Sequence, residues 1–434
     1  MATIDPLTDV VARQYERYPY PPPMDDVTSA IAGEEWFDPS HRYRTFWPDR
    51  EHKPDLDILI AGCGTNQAAI FALANPAASV VGIDVSEASL NNERRLKDKH
   101  QLSNLQLHRL PIEEVSTLER DFDLIVSTGV LHHIADPLAG LTALGECLRS
   151  DGAMGVMLYA KYGRLGVDMV ESIFQDLGLG QDEASIEAAG KIILSLPSNH
   201  LVHSHLKAAA RSILPPQKEV SALFEAATWV TDTFLHGRQR TYTVEDCMDL
   251  VASAGLIFQG WLYNTPYYPH ELFTPGNFLR SAVGSLSDEV KMWSVMERAL
   301  APASHWFISC RPDRPKQSYL IDFSTPEALE YIPQWHAGCG FSNNMIFQPT
   351  IQTNLPPHFC AFAEHVDGRR TIREISALVA STNELRANGL SADVTDAQRL
   401  GRELFKALWR LDFVLMAIQG DGTPPADPAC VTPG

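Results

Sequence analysis

Two glycines and one acid are spaced so that they could hold a nucleoside. Gly62 and Gly64 follow the apolar run 58–61, and Asp84 ends a second apolar run 20 residues after Gly64. Glycines at the end of a strand let a ligand approach the backbone where a side chain would block it. A carboxylate at the end of the next strand suits a ribose, because each oxygen can accept a hydrogen bond from one hydroxyl. The segment predicts a strand, a turn, a helix and a parallel strand around a nucleoside-containing cofactor.

Two phosphate-binding patterns do not match this turn. A dinucleotide fingerprint of the form G-x-G-x-x-G/A needs a small residue at position 67, where the chain has Gln67. A P-loop needs a Gly-Lys-Ser or Gly-Lys-Thr sequence, and none follows Gly62. The turn therefore does not support a pyrophosphate-containing cofactor.

Four landmarks in the right order resemble the class I S-adenosylmethionine-dependent methyltransferases over residues 50–312. The glycine turn is similar to the family's first motif, and residues 84–90 look like its second, where the acid takes both ribose hydroxyls. Residues 110–113 stand where the family's adenine loop stands, and residues 122–134 are close to its fourth-strand motif. The resemblance implies that S-adenosyl-L-methionine is the cofactor.

Three positions depart from the family's pattern. Ile60 stands where many members carry an acid, which removes a carboxylate contact near the methionine end of the cofactor. Asn66 stands where many have the last glycine of the turn, and Pro111 where an aspartate is usual. Taken singly, the glycines could form an ordinary strand-to-helix turn and Asp84 could cap a helix.

The resemblance and the strand ends together predict the site. The predicted cofactor-binding residues are Gly62, Cys63, Gly64, Gln67, Asp84, Val85, Ile112, Glu113, Thr128 and Gly129. The candidate catalytic or substrate residues at the same edge are His132, Tyr159 and Tyr162. His132 and His133 are adjacent and cannot share a metal with helical i, i+4 spacing, so no metal site is predicted and a packing role for either stays open.

The pattern of elements predicts an α/β fold. Residues 51–315 alternate strands and helices, which indicates a Rossmann-like, doubly wound sheet of seven strands. Residues 161–240 form a helical cap insertion, whose candidate lining residues are His203, His205, Phe234, His236 and Arg238. Residues 1–50 carry an aromatic and proline-rich segment at 18–23, which is either a lid over the ligand or an arm packed on the outside.

The residues after 315 have their own apolar pattern. Residues 316–420 predict a smaller, mainly helical, winged-helix-like domain, with a turn and a Thr371 helix cap before two helices and a short strand. This part weakly resembles the small peptide-binding domains of the PqqD type. The resemblance favours peptide binding, dimerisation or a structural role over DNA binding, because the helices are mixed in charge. Residues 421–434 are rich in proline and small residues and are predicted to be disordered.

The composition and net charge of the chain exclude several classes of function. The 434 residues are 45% hydrophobic, enough for two or more domains. A net charge of −19 argues against a broad nucleic-acid surface, which needs clustered Lys and Arg. Seven cysteines without a Cys-x-x-Cys pair predict reduced thiols in a cytoplasmic protein, and no apolar run approaches the ~20 residues of a membrane span. Neither a signal peptide nor a membrane contact is expected.

These observations predict an enzyme that transfers a methyl group to a small-molecule or peptide acceptor, and a homodimer is possible. One alternative is a catalytically weak cofactor-binding regulatory protein, which the departures at Ile60 and Asn66 would permit. A second alternative is an RNA-modifying methyltransferase, which the acidic composition disfavours.

Overall fold

The computed structural model describes residues 7–30, 37–214, 218–269, 276–349, 351–382, 384–391 and 393–418. The chain forms two compact units. Unit 1 comprises Met1–Ser40, Pro54–Leu262 and Glu297–Arg314, and unit 2 comprises His41–Lys53, Tyr263–Met296 and Pro315–Gly434. The predicted disordered tail, 421–434, lies outside the described residues.

The helices and strands are numbered in chain order. The helices are α1 (Val10–Arg17), α2 (Pro39–Phe46), α3 (Gln67–Ala74), α4 (Glu87–His100), α5 (Pro137–Glu146), α6 (Leu165–Asp176), α7 (Glu183–Ser195), α8 (Val202–Ile213), α9 (Ala227–Phe234), α10 (Val244–Ser253), α11 (Phe278–Gly284), α12 (Glu289–Leu300), α13 (Pro357–Glu364), α14 (Ile372–Ser381), α15 (Glu384–Ala387) and α16 (Val394–Arg410). The strands are β1 (Asp57–Ala61), β2 (Ser79–Asp84), β3 (Leu105–Arg109), β4 (Phe122–Thr128), β5 (Leu148–Tyr159), β6 (Ile257–Trp261), β7 (Ser304–Cys310), β8 (Ile332–Trp335), β9 (Gly340–Ser342), β10 (Met345–Gln348), β11 (Ile351–Asn354) and β12 (Val414–Ala417).

Unit 1 is built on a seven-stranded sheet with the strand order β3–β2–β1–β4–β5–β7–β6. Strands β1 to β5 pair in parallel, and β7 runs antiparallel to both of its neighbours. The central strands β1 and β4 are buried almost throughout, as expected for strands with helices on both faces. The sheet confirms the predicted α/β, Rossmann-like, doubly wound fold. The strand order reverses between β1 and β4, and such a reversal opens a crevice at the carboxyl ends.

Polar side chains define where several helices begin. A capping box is present at α10, with Thr243 and Asp246 each bonded to the other's backbone. Thr371, the predicted helix cap, forms a second capping box with Glu374 at α14. Helix α5 begins at Pro137, because the Asp136 side chain accepts a hydrogen bond from Ala139 N–H and caps the helix there.

The predicted helical insertion contains α6, α7, α8 and α9, between β5 and α10. It has an apolar core of its own, formed by buried residues such as Val170, Phe174 and Trp229. Two tyrosines of the amino-terminal segment, Tyr18 and Tyr20, pack against this core. The amino-terminal segment is therefore attached to the insertion within unit 1.

Unit 2 departs from the contiguous boundaries of the sequence analysis, which placed 51–315 and 316–420 in separate domains. Besides the residues after 315 it includes 41–53 and 263–296. Hydrogen bonds hold these segments in place: Ile418 N–H donates to the Pro48 carbonyl, and Asp412 accepts from the N–H groups of Asn264 and Thr265. The composition of the sequence gives no sign of these contacts. Helices α13, α14 and α16 share an apolar core. The short strand after α16, β12, pairs with β8, and β9, β10 and β11 form a second sheet; the sequence analysis predicted neither β8 nor that sheet.

Within the described residues, none of the helices combines the length and the apolar character needed to cross a membrane. Six cysteines in this part of the chain form no disulfide, and five of them are buried.

A glycine comparison tests the packing of the turn after β1. Gly62 has φ +77° and its added Cβ would lie 2.4 Å from Val130 Cγ2, whereas Gly255 has φ +72° and open space around it. We expect Gly255→Ala to lower the free energy of unfolding by about 1–2 kcal/mol, from left-handed backbone strain alone. Gly62→Ala should lower the free energy of unfolding by about 1–3 kcal/mol more than Gly255→Ala, because the added methyl group would clash with Val130. Urea denaturation measures both, and equal losses would contradict the packing argument.

Candidate active site

A cavity of about 530 Å³ lies at the carboxyl ends of β1, β2 and β4, a size usual for ligand pockets. All of the predicted cofactor-binding residues line it: Gly62, Cys63, Gly64, Gln67, Asp84, Val85, Ile112, Glu113, Thr128 and Gly129. The remaining wall comes from elements far apart in the sequence. It includes Tyr15 and Tyr20 of the amino-terminal segment, His133 after β4, Tyr159 at the end of β5 and Asp232 of α9.

The N–H groups of the glycine turn are bonded within the protein. Gly62 N–H and Cys63 N–H both donate to the Ile83 carbonyl, at 2.8 and 2.9 Å. Gly64 N–H donates to Asp84 Oδ2 at 2.9 Å. The reason proposed from the sequence for these glycines needs correction, because the turn does not leave these three donors free for a ligand.

The glycines are instead required by backbone conformation and by close packing. Gly64 has φ +59°, in the left-handed region, and an added Cβ would lie 2.7 Å from the Tyr20 carbonyl oxygen. Thr65 Oγ1 donates to the Pro21 carbonyl at 2.8 Å. The amino-terminal segment thus lies directly on the turn and forms one wall of the cavity.

Asp84 lies at the end of β2 and faces the cavity. Its Oδ1 accepts Ser86 N–H at 2.8 Å and its Oδ2 accepts Gly64 N–H at 2.9 Å. Burial raises the pKa of Asp84, while these backbone hydrogen bonds act in the opposite direction. Each carboxylate oxygen keeps a further lone pair, so both can still accept a ribose hydroxyl.

Glu93 of α4 occupies the amino end of α3. Its two carboxyl oxygens accept the N–H groups of Ala68 and Ala69, both at 2.9 Å, and the residue is 0% exposed. A helix amino terminus in this position normally binds a phosphate. With Glu93 in place, and with the turn's N–H groups bonded internally, a diphosphate would find few donors here. The residues present fit an uncharged adenosine and a cationic sulfonium better than a dinucleotide.

The family comparison agrees with this geometry. Residues 59–154 match a family described as "Methyltransferase domain". This part of the chain is a class I S-adenosylmethionine-dependent methyltransferase domain. S-adenosyl-L-methionine is its cofactor.

Relatives of the methyltransferase domain are distant and partial. An uncharacterized protein of Synechococcus sp. is 28% identical over 65% of this chain and 67% of its own length. The ubiquinone biosynthesis O-methyltransferase of Acinetobacter baylyi is 29% identical over 28% of this chain, and the match spans 56% of that enzyme. The structure of PKMT2 from Rickettsia typhi covers 88% of this chain and 75% of its own, with a TM-score of 0.57 and 14% identity. At that identity the likeness shows a shared fold.

A buried carboxylate and two tyrosines lie near the end of β5 in the methyltransferase domain. Tyr15 Oη donates to Asp232 Oδ1 at 2.9 Å, and Tyr159 Oη donates to Asp232 Oδ2 at 3.4 Å. Burial raises the pKa of Asp232 to about 6, although both hydroxyls stabilise its charge. Burial and the Asp232 charge raise the pKa of both tyrosines well above the usual value. Asp232 is thus ionised at neutral pH and the tyrosines are neutral.

Two stacked histidines lie beside this carboxylate. The rings of His133 and His236 are 3.7 Å apart between centroids and 19° from parallel. His133 Nδ1 lies 3.0 Å from the Arg238 carbonyl, so it is the donor, while His236 Nδ1 accepts Arg238 N–H at 3.0 Å. His133 Nε2 therefore carries a lone pair, and His236 Nε2 carries the proton. Burial lowers the pKa of His236 to about 3 and that of His133 well below its usual value, so both are neutral.

His133, Asp232 and His236 are close enough together to suggest a metal site, since ligand atoms of the three lie within 4.8 Å of one another. Two features argue against one. Lone pairs in the planes of stacked rings run nearly parallel and do not converge on one ion. The proton on His236 Nε2 also blocks the lone pair that a metal would need there. The geometry favours hydrogen bonding over metal coordination.

The predicted catalytic residues are only partly brought together. Tyr159 lines the cavity, but His132 and Tyr162 do not. His132 is 0% exposed and packs on the Tyr159 ring, with centroids 3.9 Å apart. Its neighbour His133 lines the cavity instead, because the turn after β4 points only one of the two side chains inward.

The candidate lining residues of the insertion also need correction. His203, His205, Phe234, His236 and Arg238 do not line the cavity. Phe234 belongs to the insertion's apolar core, and Arg238 pairs with Asp9 at 2.6 Å. The insertion contributes Asp232, which the sequence analysis missed because nothing around it in α9 marks a site.

The burial of Glu93 predicts a pH-dependent stability. Burial raises its pKa to about 8 from an ordinary value of 4.5, so between these values the folded chain binds more protons than the unfolded chain. The free energy of unfolding therefore falls as pH rises through this range, by at most about 1.4 kcal/mol per pH unit. Because Glu93→Gln cannot titrate, the stability advantage of the wild type over this variant should shrink between about pH 5 and pH 8.

Urea denaturation at the two pH values measures that difference. Glu114→Gln is the matched control, since Glu114 is exposed in the 3-10 helix that follows β3. If the difference in the free energy of unfolding between wild type and Glu93→Gln is the same at both pH values, Glu93 is charged over the whole range and the prediction is wrong.

Proposed function

We propose that this protein transfers the methyl group of S-adenosyl-L-methionine to a small-molecule or peptide acceptor. One observation carries the proposal. The Asp84 carboxylate lines the crevice of the methyltransferase domain, and Glu93 accepts the N–H groups at the amino end of α3. The crevice therefore suits adenosine attached to a cation.

When bound, the cofactor would supply a methyl group on a sulfonium: the acceptor lone pair would form a bond to the methyl carbon as the carbon–sulfur bond breaks and the thioether leaves. Because the sulfonium already makes the methyl group reactive, the protein's main task is to orient the acceptor, which can supply up to roughly 7–11 kcal/mol. Tyr159, His133 and Asp232 lie on the wall formed by the ends of β4 and β5 and by α9. We assign the acceptor to this side of the cavity and the cofactor to the side of β1 and β2.

The amino-terminal segment fits the role of a lid. Eight of its residues line the cavity: Asp9, Val11, Ala12, Tyr15, Tyr20, Pro21, Met24 and Ala30. Ion pairs connect it to the rest of unit 1, from Asp9 to Arg238 at 2.6 Å and from Asp25 to Arg95 at 2.8 Å. In this proposal the segment closes over bound cofactor and excludes water from the reacting atoms.

Two other functions remain as alternatives. A regulatory protein would bind the cofactor without transferring its methyl group. An RNA-modifying enzyme would need a basic surface beside the cavity, which a net charge of −19 disfavours. For the carboxyl-terminal residues we propose acceptor presentation or dimerisation, in line with their winged-helix-like pattern.

Asp84 provides the direct test of cofactor binding. We expect the wild type to bind S-adenosylmethionine with micromolar-range affinity by isothermal titration calorimetry. Asp84→Ala should weaken binding by about 100-fold or more, because two hydrogen bonds to a charged group are worth about 1.5–3 kcal/mol each. Asp98→Ala, which removes an exposed acid from α4, should leave the affinity unchanged. Absence of binding to the wild type would sink the proposal.

Transfer itself is tested with cofactor labelled in its methyl group. Incubation of the full chain with labelled cofactor and cell extract should label a discrete product, and Asp84→Ala should not. Cofactor binding without any labelled product would favour the regulatory alternative, and label in RNA would favour the RNA-modifying one.

A further inference from the structure

The acceptor side of the cavity offers hydrogen-bond acceptors, while the hydroxyl donors of Tyr15 and Tyr159 are already used. Tyr15 and Tyr159 both direct their hydroxyl hydrogens to Asp232, whose two oxygens each keep a further lone pair. His133 Nε2 is buried without a hydrogen-bond partner among the described residues, on a residue that is 2% exposed and lines the cavity. A ligand that satisfies this wall must bring several donors of its own.

Building on the function proposed above, we propose that the methyl acceptor is a primary amine, bound as an ammonium ion between Asp232 and His133. A ring nitrogen of His133 and a carboxyl oxygen of Asp232 lie within 4.8 Å of each other, so the two side chains are close enough for one ligand nitrogen to lie between them. An ammonium has three N–H donors and can satisfy both at once. An alcohol or a phenol has one donor and would leave a buried acceptor unmatched.

The charges around Asp232 favour a cation in this position. Both neighbouring histidines are neutral, so they add no competing positive charge. The buried Arg164 guanidinium, whose carbon lies 3.7 Å from the centroid of the Tyr159 ring, interacts electrostatically with Asp232. Its hydrogen bonds go to the Thr233 carbonyl and the Gln239 side chain, both at 3.4 Å, and not to Asp232. The free lone pairs of the Asp232 oxygens therefore stay available to the donors of a ligand.

The aromatic walls add to this preference. Tyr15 and Tyr20 line the cavity, and the electron-rich faces of such rings attract cations; the Tyr159 ring is already covered by Arg164 and His132. Before it can accept a methyl group, the ammonium must lose one proton to expose its lone pair. Asp232 is the carboxylate positioned to take that proton from the nitrogen, and the released proton passes to solvent when product leaves.

The test uses the full chain saturated with S-adenosylhomocysteine, the unreactive product of the cofactor. Ligand-observed NMR titrations compare n-butylammonium with n-butanol, which has one donor and no charge, and with n-butyltrimethylammonium, which has charge but no N–H. We expect n-butylammonium to bind at least about 10-fold more tightly than either, because one unmatched buried acceptor costs about 1–3 kcal/mol. Asp232→Asn should abolish this preference. Asp168→Asn, which removes an acid of α6 that does not line the cavity, should keep it.

Several outcomes would overturn the inference. Equal binding of the three probes, or tightest binding of the quaternary ion, would show that N–H donors do not matter, and this comparison needs only the wild type. If Asp232→Asn weakens binding of S-adenosylmethionine but not of S-adenosylhomocysteine, Asp232 contacts the sulfonium and not the acceptor. Tight Zn²⁺ binding that is lost in Asp232→Asn would make the cluster a metal site. Failure of the wild type to bind S-adenosylhomocysteine would instead reject the proposed function itself.

Discussion

The site depends on the internal bonding of backbone N–H groups at the first turn of the methyltransferase domain. The Ile83 carbonyl, Asp84 and Glu93 together accept five of these groups from the glycine turn and the start of α3. A turn of this kind would otherwise be a ready site for phosphate, because its donors converge on an anion. With these donors occupied the turn offers little to an anion, while the Asp84 carboxylate in the cavity favours a cation. The same bonding holds β1, α3, β2 and α4 in one rigid unit beneath the ligand.

The carboxyl groups of Glu93, Asp84 and Asp232 serve different purposes because their partners differ. Glu93 is satisfied by two helix N–H groups and does not line the cavity, so its role is structural. Asp84 is held by two loop N–H groups and still presents lone pairs to the cavity. Asp232 accepts hydrogen bonds from two phenol hydroxyls and also lines the cavity. Asp84 at the end of β2 is therefore suited to a ribose, and Asp232 in α9 is the one that we assign to an acceptor.

Local patterns were sufficient to predict residues that line the cavity at the ends of β1, β2 and β4. Gly62, Asp84 and Thr128 each come at or just after the end of an apolar run that forms a buried strand, and parallel strands bring their carboxyl ends to one edge. The acceptor side was not predictable in this way. Asp232 sits in the last turns of a helix with no distinguishing neighbours, and the choice of His133 over His132 depends on how one turn packs against Tyr159. Unit 2 is discontinuous in the sequence for a related reason, since hydrogen bonds such as those of Asp412 join segments far apart in the chain.

The sequence by itself determined the class of fold, the alternation of strands and helices in the methyltransferase domain, and a set of residues that line the cavity, because each of these follows from periodicity and from residues adjacent to strand ends. Only the tertiary structure decided which backbone N–H donors are free and which histidine faces the cavity. It also brings together Tyr15 and Asp232, which are 217 residues apart in the chain. The physical reason is that hydrogen-bond satisfaction and burial belong to pairs of groups, and the partner of a group can lie anywhere in the chain.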